Sequence, residues 1–342
     1  MPETILATGG AGYIGTHVAA ALMAAGYRVV ILDDLSNAVP EAVRRVNALG
    51  HGAAELVEGD ARDAALLDRV FARHAVAGVI HLAGLKAVGE SVADPARYYA
   101  VNTGTALAVA AAMVRHGVRR LVFSSSATVY GEPDAVPIPE TAALRPMNPY
   151  GRSKMMVELM LGDIAAATPG MQVVSLRYFN PVGAHPGGTI GEDPRGTPNN
   201  LFPFIAQTLA GRHPAVRIFG DDWETPDGTG VRDYIHVQDL ARGHVAAMDW
   251  LRAGGDTGGG SLPVNLGTGR GTSVREAVTA FAAATGRAVP HEIAPRRPGD
   301  IASFYADPAR AARLFGWRAG HDLAAMCRDH WAWQSANPQG YG

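Results

Sequence analysis

The chain has 342 residues, 47% hydrophobic and 18% charged, enough for a sizeable buried core and far from a disordered composition. Its formal net charge of −2 excludes a bulk field that would gather nucleic acid or an acidic membrane, and no apolar run is long enough to span a bilayer. The single cysteine, Cys327, excludes an intramolecular disulfide and fits a reducing, cytoplasmic setting, and residues 1–7 carry no leader-like pattern.

Short apolar runs predict strands over residues 4–8, 28–32, 54–58, 78–82, 121–125 and 173–178. Helical spacing fills the gaps at 16–25, 64–73 and 98–116. Strands alternating with helices predict an α/β fold with a doubly wound parallel sheet covered on both faces. Alternation alone fits such a sheet with or without a bound dinucleotide. Residues 180–232 are rich in Gly, Pro, Asn and Asp, apart from a helical stretch at 202–209, as expected of loops over a binding cleft. A strand-to-helix pattern returns at 233–251, and the glycine run at 254–260 reads as a surface loop. From 273 to 333 the pattern predicts two or three helices with a strand near 290–293. The expected division is a first domain of 1–178, to which 233–268 returns, and a smaller mixed α/β substrate domain of 179–232 and 269–342.

Directly after the first strand comes TGGAGYIG, residues 8–15, opening a helix. Gly9 suits a tight turn, Gly12 lets backbone approach a pyrophosphate, and Gly15 lets helix and strand pack closely. The helix start offers free N–H groups and partial positive charge to phosphate. Asp33 ends the second strand, where a carboxylate accepts ribose hydroxyls and repels a 2′-phosphate, so NAD is favoured over NADP. The ordinary alternative is that Asp33 and Asp34 merely open a turn. Asp60 either reaches an adenine or caps the helix near Asp63.

Tyr150 and Lys154 stand four apart after Pro149, on one face of a helix start. A free phenol titrates near ~10, and a neighbouring ammonium and a nicotinamide cation would pull that value down for general-base work. A lone Tyr-x-x-x-Lys is more often a surface pair. Here it follows the glycine motif and Ser124-Ser125-Ser126 at the end of the fifth strand, the edge where open α/β sheets bind ligands.

With these motifs the chain resembles the extended short-chain dehydrogenase/reductases, a doubly wound (Rossmann) family, and within it the UDP-glucose 4-epimerase branch, over nearly its whole length. The matching strings are HLAGLKAVGESV at 81–92, SSSATVYG at 124–131, RYFNPVGAHP at 177–186 and GVRDYIHV at 230–237. The resemblance implies that Tyr150 takes the proton of the sugar 4-hydroxyl, that Ser126 hydrogen-bonds that oxygen, and that Lys154 holds the nicotinamide ribose and biases Tyr150 toward phenolate. It implies an NAD site lined by Gly9, Gly12, Tyr13, Ile14, Gly15, Asp33, Asp34, Asn37, Asp60, Ala61, Leu82, Ala83, Gly84, Lys86, Asn102, Ser126, Tyr150, Lys154 and Phe179. UDP-glucose or UDP-galactose would be held by Lys86, Ser126, Tyr150, Asn180, Asn200, Leu201, Phe219, Arg232, Arg297, Asp300 and Phe304. Arginine forks suit a diphosphate, although Arg232 and Arg297 are otherwise explained as rim partners of Asp233 and Asp300. The stretch 98–105, which carries Asn102, is a residue shorter than the family pattern.

A 4,6-dehydratase would carry Asp-Glu after the active-site hydroxyl, whereas this chain has Ala127 and Thr128, which cannot do acid–base work. A 4-epimerase or decarboxylase of another UDP-sugar or uronate stays open, as does, from a different class, an inactive NAD-binding scaffold. The scattered histidines lack paired ligand spacing, so no metal is expected. Family resemblance puts Phe304 near the sugar C2 group, where its bulk disfavours N-acetyl sugars. A homodimer is expected, as in relatives, with the alanine-rich helix around 106–114 and the one after Tyr150 as candidate faces.

Overall fold

A computed structural model describes residues 2–342 apart from Arg195, Thr197, Asn199 and Pro298. In chain order its first half runs β1 (Thr4–Thr8), α1 (Tyr13–Ala24), β2 (Arg28–Asp33), α2 (Pro40–Asn47), β3 (Glu55–Glu58), α3 (Ala64–His74), β4 (Val76–His81), α4 (Val88–Ala93), α5 (Pro95–Arg115), β5 (Arg120–Ser126), α6 (Pro149–Ala167) and β6 (Gln172–Tyr178). The second half runs β7 (Asn180–Val182), α7 (Leu201–Leu209), β8 (Val216–Phe219), β9 (Val231–Arg232), β10 (Tyr234–His236), α8 (Val237–Arg252), β11 (Ser261–Leu266), β12 (Thr272–Ser273), α9 (Val274–Thr285), β13 (His291–Ala294), β14 (Ser303–Phe304), α10 (Ala309–Phe315) and α11 (Leu323–Ala336).

Seven parallel strands form one sheet in the order β11-β6-β5-β4-β1-β2-β3. Strand β1 is buried at all five residues, with an apolar centre of Ile5, Leu6 and Ala7, because helices cover both faces of the sheet. Val18 and Leu22 of α1, Val43 of α2 and Met248 of α8 pack on one face, and Leu67 of α3, Val109 of α5 and Leu161 of α6 on the other. Chain order reverses between β1 and β4, and in such sheets the crevice beyond that point is where ligands bind. The chain turns there at Gly9, and Leu82 N–H donates to Thr8 O at 2.9 Å across the same point.

The helix starts are chemically marked. Asp94 accepts from Arg97 N at 3.2 Å ahead of Pro95, so α5 begins three residues earlier than its apolar spacing alone predicts. Asp63, not Asp60, caps α3, accepting from Ala65 N and Leu66 N. Ser273 and Glu276 form a capping box on α9. Around the crevice a smaller set of elements gathers a separate core of Phe202, Val216, Phe281 and Met326. Its sheets are two or three strands each: β10-β7, β12-β9-β14 and β13-β8. Phe179 and Phe304, with ring centroids 5.1 Å apart, belong to a further cluster with Ala127, Val129 and Tyr130 just beyond the end of β5.

Candidate active site

The turn after β1 is built by backbone contact. Gly9 has φ +69°, and a Cβ on it would stand 2.6 Å from Ala83 N, so the glycine permits both the turn and the approach of the segment after β4. A Cβ on Gly15 would stand 2.6 Å from Gly10 Cα, where α1 presses on the turn. Gly12 differs, because nothing but Gly9 O, at 3.6 Å, lies near its would-be Cβ. Its bareness leaves room above a helix start that no side chain caps. That cradle fits the pyrophosphate of a dinucleotide.

Asp33 is nearly buried at the end of β2, its Oδ2 accepting from Ala11 N at 3.0 Å and its Oδ1 from Leu35 N at 2.9 Å. Burial raises its carboxyl above the usual range, while the Leu35 and Ala11 N–H groups pull it back. It thereby ties the glycine turn to β2 with acceptor capacity to spare for ribose hydroxyls. Asp34 does open a turn, accepting from Ser36 N at 2.9 Å and Ser36 Oγ at 2.6 Å, and Asn37 is exposed beside it. Asp60 is engaged by Arg62 at 2.6 Å, which holds its carboxyl below the ordinary value, and Ala61 is buried behind it. Leu82, Ala83 and Gly84 continue the rim, partly or fully exposed. Asn102 is buried on α5 with its amide fully occupied, accepting from Leu85 N at 2.7 Å and donating to Leu85 O at 3.1 Å and Ser153 Oγ at 2.9 Å. It braces that rim from behind. Tyr13 Oη donates to Gly183 O at 2.8 Å, with Ile14 and Phe179 beyond it on the partly or wholly buried wall.

The reacting groups meet at the end of β5. Asn148 caps α6 by accepting from Gly151 N at 2.9 Å, and Pro149 sets its first turn, which delivers Tyr150 and then Lys154 to the strand edge. Lys154 is buried, its Nζ donating to Ser124 O at 2.9 Å and lying 5.0 Å from the Phe123 ring centre and 6.0 Å from that of Tyr150. Burial lowers its ammonium to about 8 against the pull of Glu158. The Tyr150 phenol stands above its usual value: burial is the largest cause, opposed by the Ser126 hydroxyl and the Lys86 charge. The Lys86 ammonium favours the phenolate, and desolvation outweighs it. Lys86 is anchored on Glu192 at 3.0 Å.

Sequence reasoning missed several groups here. Glu158 and Arg177 form a buried pair, Nη2 to Oε2 at 2.5 Å, and Ser125 Oγ donates to Glu158 Oε1 at 2.5 Å. Glu158 lies four residues beyond Lys154 on the same helical face, a spacing that marks it. Glu192 and Thr128 carry no such signal.

The remaining candidates form a second cluster. Phe304 and Arg232 are register partners of β14 and β9, Arg232 Nη1 donates to Ile301 O at 2.9 Å, and burial lowers the guanidinium. Arg297 lies 4.4 Å above the Phe219 ring and pairs with Asp300 at 2.9 Å. The rim-pair alternative thus describes Arg297 in part. It does not describe Arg232, since Asp233 is spent on the N–H groups of Thr268, Gly269 and Ala306. Asn180 N–H donates to Asp233 O at 3.0 Å where β7 pairs with β10, and Asn200, just before Leu201 opens α7, faces Glu192 at 3.5 Å.

Comparisons agree with this geometry. The model of the NAD dependent epimerase/dehydratase family matches residues 5–267. A UDP-glucose 4-epimerase of Neisseria meningitidis serogroup C is 51% identical over 342 residues, covering 99% of each chain. The crystal structure of the Stenotrophomonas maltophila UDP-glucose-4-epimerase with bound NAD and formylated UDP-arabinopyranose superposes with a TM-score of 0.95 at 49% identity, covering 98% of this chain and 99% of that one. The Bifidobacterium longum enzyme in complex with NAD+ and UDP gives 0.93 at 47% identity, covering 98% and 99%.

Proposed function

The chain belongs to the NAD dependent epimerase/dehydratase family, and we propose that it interconverts UDP-glucose and UDP-galactose at carbon 4. The observation that carries this reading is the meeting of Tyr150, Ser126 and Lys86 at the β5 edge, beyond the glycine cradle, with no acid–base pair at Ala127 and Thr128. NAD, when bound, supplies the oxidation of C4 to a ketone and its reduction back. Gly9, Gly12, Tyr13, Ile14, Gly15, Asp33 and the rim 82–84 hold it, Asn102 supports that rim, and Lys154 takes its nicotinamide-side ribose. Tyr150 removes the 4-hydroxyl proton and returns it, and Ser126 hydrogen-bonds the same oxygen. Ser126 and Lys86 favour the phenolate from the protein side, and the positive charge of a nicotinamide, were it bound, would add to theirs. Asn180, Asn200, Leu201, Phe219, Arg232, Arg297 and Asp300 hold the UDP portion, and Phe304 bounds the sugar. By this division 1–178 with 233–268 serves the cofactor, and 179–232 with 269–342 serves the nucleotide sugar.

The test is to denature purified protein, identify the released nucleotide, and assay native protein with UDP-galactose and no added cofactor. Tyr150→Phe is expected to keep its dinucleotide and lose most turnover. Undiminished turnover in that variant removes Tyr150 from the proton transfer.

The same reading extends to a cytoplasmic homodimer in galactose metabolism. The lone thiol, Cys327, is buried, as suits a reducing compartment. Leu107 on α5 is 50% exposed and Leu159 on α6 is 59% exposed, an apolar surface that a second copy would cover. Leu159→Glu is expected to yield monomers in sedimentation.

A further inference from the structure

Ser126 closes β5, and a single neighbour saturates its acceptor side. Thr128 N–H donates to Ser126 Oγ at 3.2 Å, and Thr128 Oγ1 donates to the same oxygen at 2.9 Å. A serine hydroxyl offers one proton and two lone pairs. With both lone pairs engaged by Thr128, only the proton is left for anything in the cleft. The turn that does this is locked to the helix carrying Tyr150: a Cβ on Gly151 would stand 2.8 Å from Thr128 O, so α6 rests directly on the threonine backbone.

We propose that Thr128 is a positioning residue of the proton transfer, fixing Ser126 as a one-way hydrogen-bond donor toward the oxygen shared by Tyr150 and the substrate. This inference rests on the roles proposed above for Tyr150 and Ser126, and adds a residue to them. The consequence is directional. A serine able to accept would take the Tyr150 O–H and hold the phenol protonated. A serine able only to donate favours the phenolate, and later the ketone oxygen, so Tyr150 alone carries the proton. The Ser126 contact does pull the phenol downward against burial. The other groups facing Tyr150 are Lys86 from the segment after β4, Lys154 beneath its ring on α6 and Tyr178 at the end of β6. None of them bonds to Thr128, so a change at 128 leaves them in place.

Thr128→Val removes the hydroxyl while keeping shape and backbone N–H, and Thr128→Ser keeps the hydroxyl. The holoenzyme is read two ways: the acid limb of kcat against pH with UDP-galactose, and the ultraviolet titration of the Tyr150 phenolate with Tyr150→Phe as blank. Thr128→Val is expected to move both upward by about half to one pH unit, the worth of one neutral hydrogen bond. Thr128→Ser should coincide with the unaltered chain. In a Ser126→Ala background, Thr128→Val should add no shift. An unshifted limb in Thr128→Val, with or without lost turnover, overturns the proposal, as does an equal shift without Ser126. A chain that never turns over UDP-galactose refutes the proposed function instead, and the phenolate titration still decides this inference.

Discussion

Gly12 and Gly15 offer a way to separate what the fold needs from what the cofactor needs. Gly12 has φ −73° and ψ 176°, ordinary for alanine, and a methyl there meets no protein atom closer than 3.6 Å. Gly12→Ala should therefore leave the nucleotide-free chain as stable as before, or more stable by up to about 1 kcal/mol through loss of freedom in the unfolded state. That methyl would stand over the uncapped N–H groups of α1, where a phosphate must approach. Lengthening two charge-assisted hydrogen bonds at roughly 1.5 kcal/mol each costs about 3 kcal/mol, or about 100-fold in NAD affinity. Gly15→Ala drives its methyl to 2.6 Å from Gly10 Cα and 2.7 Å from Gly10 C, backbone that cannot swing aside. It should cost the nucleotide-free chain about 1–3 kcal/mol or more. The assay is dinucleotide released per chain on denaturation, alongside denaturant unfolding of stripped protein. If Gly12→Ala retains unaltered NAD, or loses as much stability as Gly15→Ala, the assignment of Gly12 to the pyrophosphate is wrong.

Much of the main sheet was legible because buried parallel strands are apolar runs separated by helical spacing. Residues 4–8 are read to the residue, and 78–82 becomes β4 at Val76–His81 with only its ends moved. The small sheets were not legible. Strands β9, β12 and β14 have two residues each and no period, and exist only because segments distant in sequence pair, as Phe304 does with Arg232. The site divides the same way. Tyr150, Lys154 and Ser126 could be picked out by spacing and order along an α/β chain. Glu192 could not, since it reaches Lys86 across 106 positions. Nor could the direction of the Tyr150 shift, because desolvation is a property of the packed fold and not of neighbours in sequence. Sequence logic assigned the activating charge to the lysine four residues away. Packing puts that lysine 6.0 Å from the ring centre and brings a second charge, that of Lys86, to bear on the phenol from a segment distant in sequence.

Two further outcomes follow from the same packing. Phe304 is nearly buried against Phe179, so Phe304→Ser opens space at the sugar and should raise turnover of UDP-N-acetylglucosamine relative to UDP-galactose; an unchanged ratio in competing assays removes Phe304 from substrate selection. The second concerns acid. Burial lowers His81 and His236 to about 3, and His17, His244 and His330 to about 4. The unfolded chain takes up protons near ~6.5 that the folded chain refuses, so it binds more protons below that value and stability falls as pH falls. Each such histidine contributes a slope of up to about 1.4 kcal/mol per pH unit between its two values. Asp33 and Asp233, raised by burial, work the other way, but only nearer the carboxylate range. The thermal midpoint should therefore begin a steep decline just below pH 6.5, before carboxylates titrate. A midpoint level from pH 7 to 5 would mean that these imidazoles exchange protons freely in the folded chain, and that the interior drawn around them is wrong.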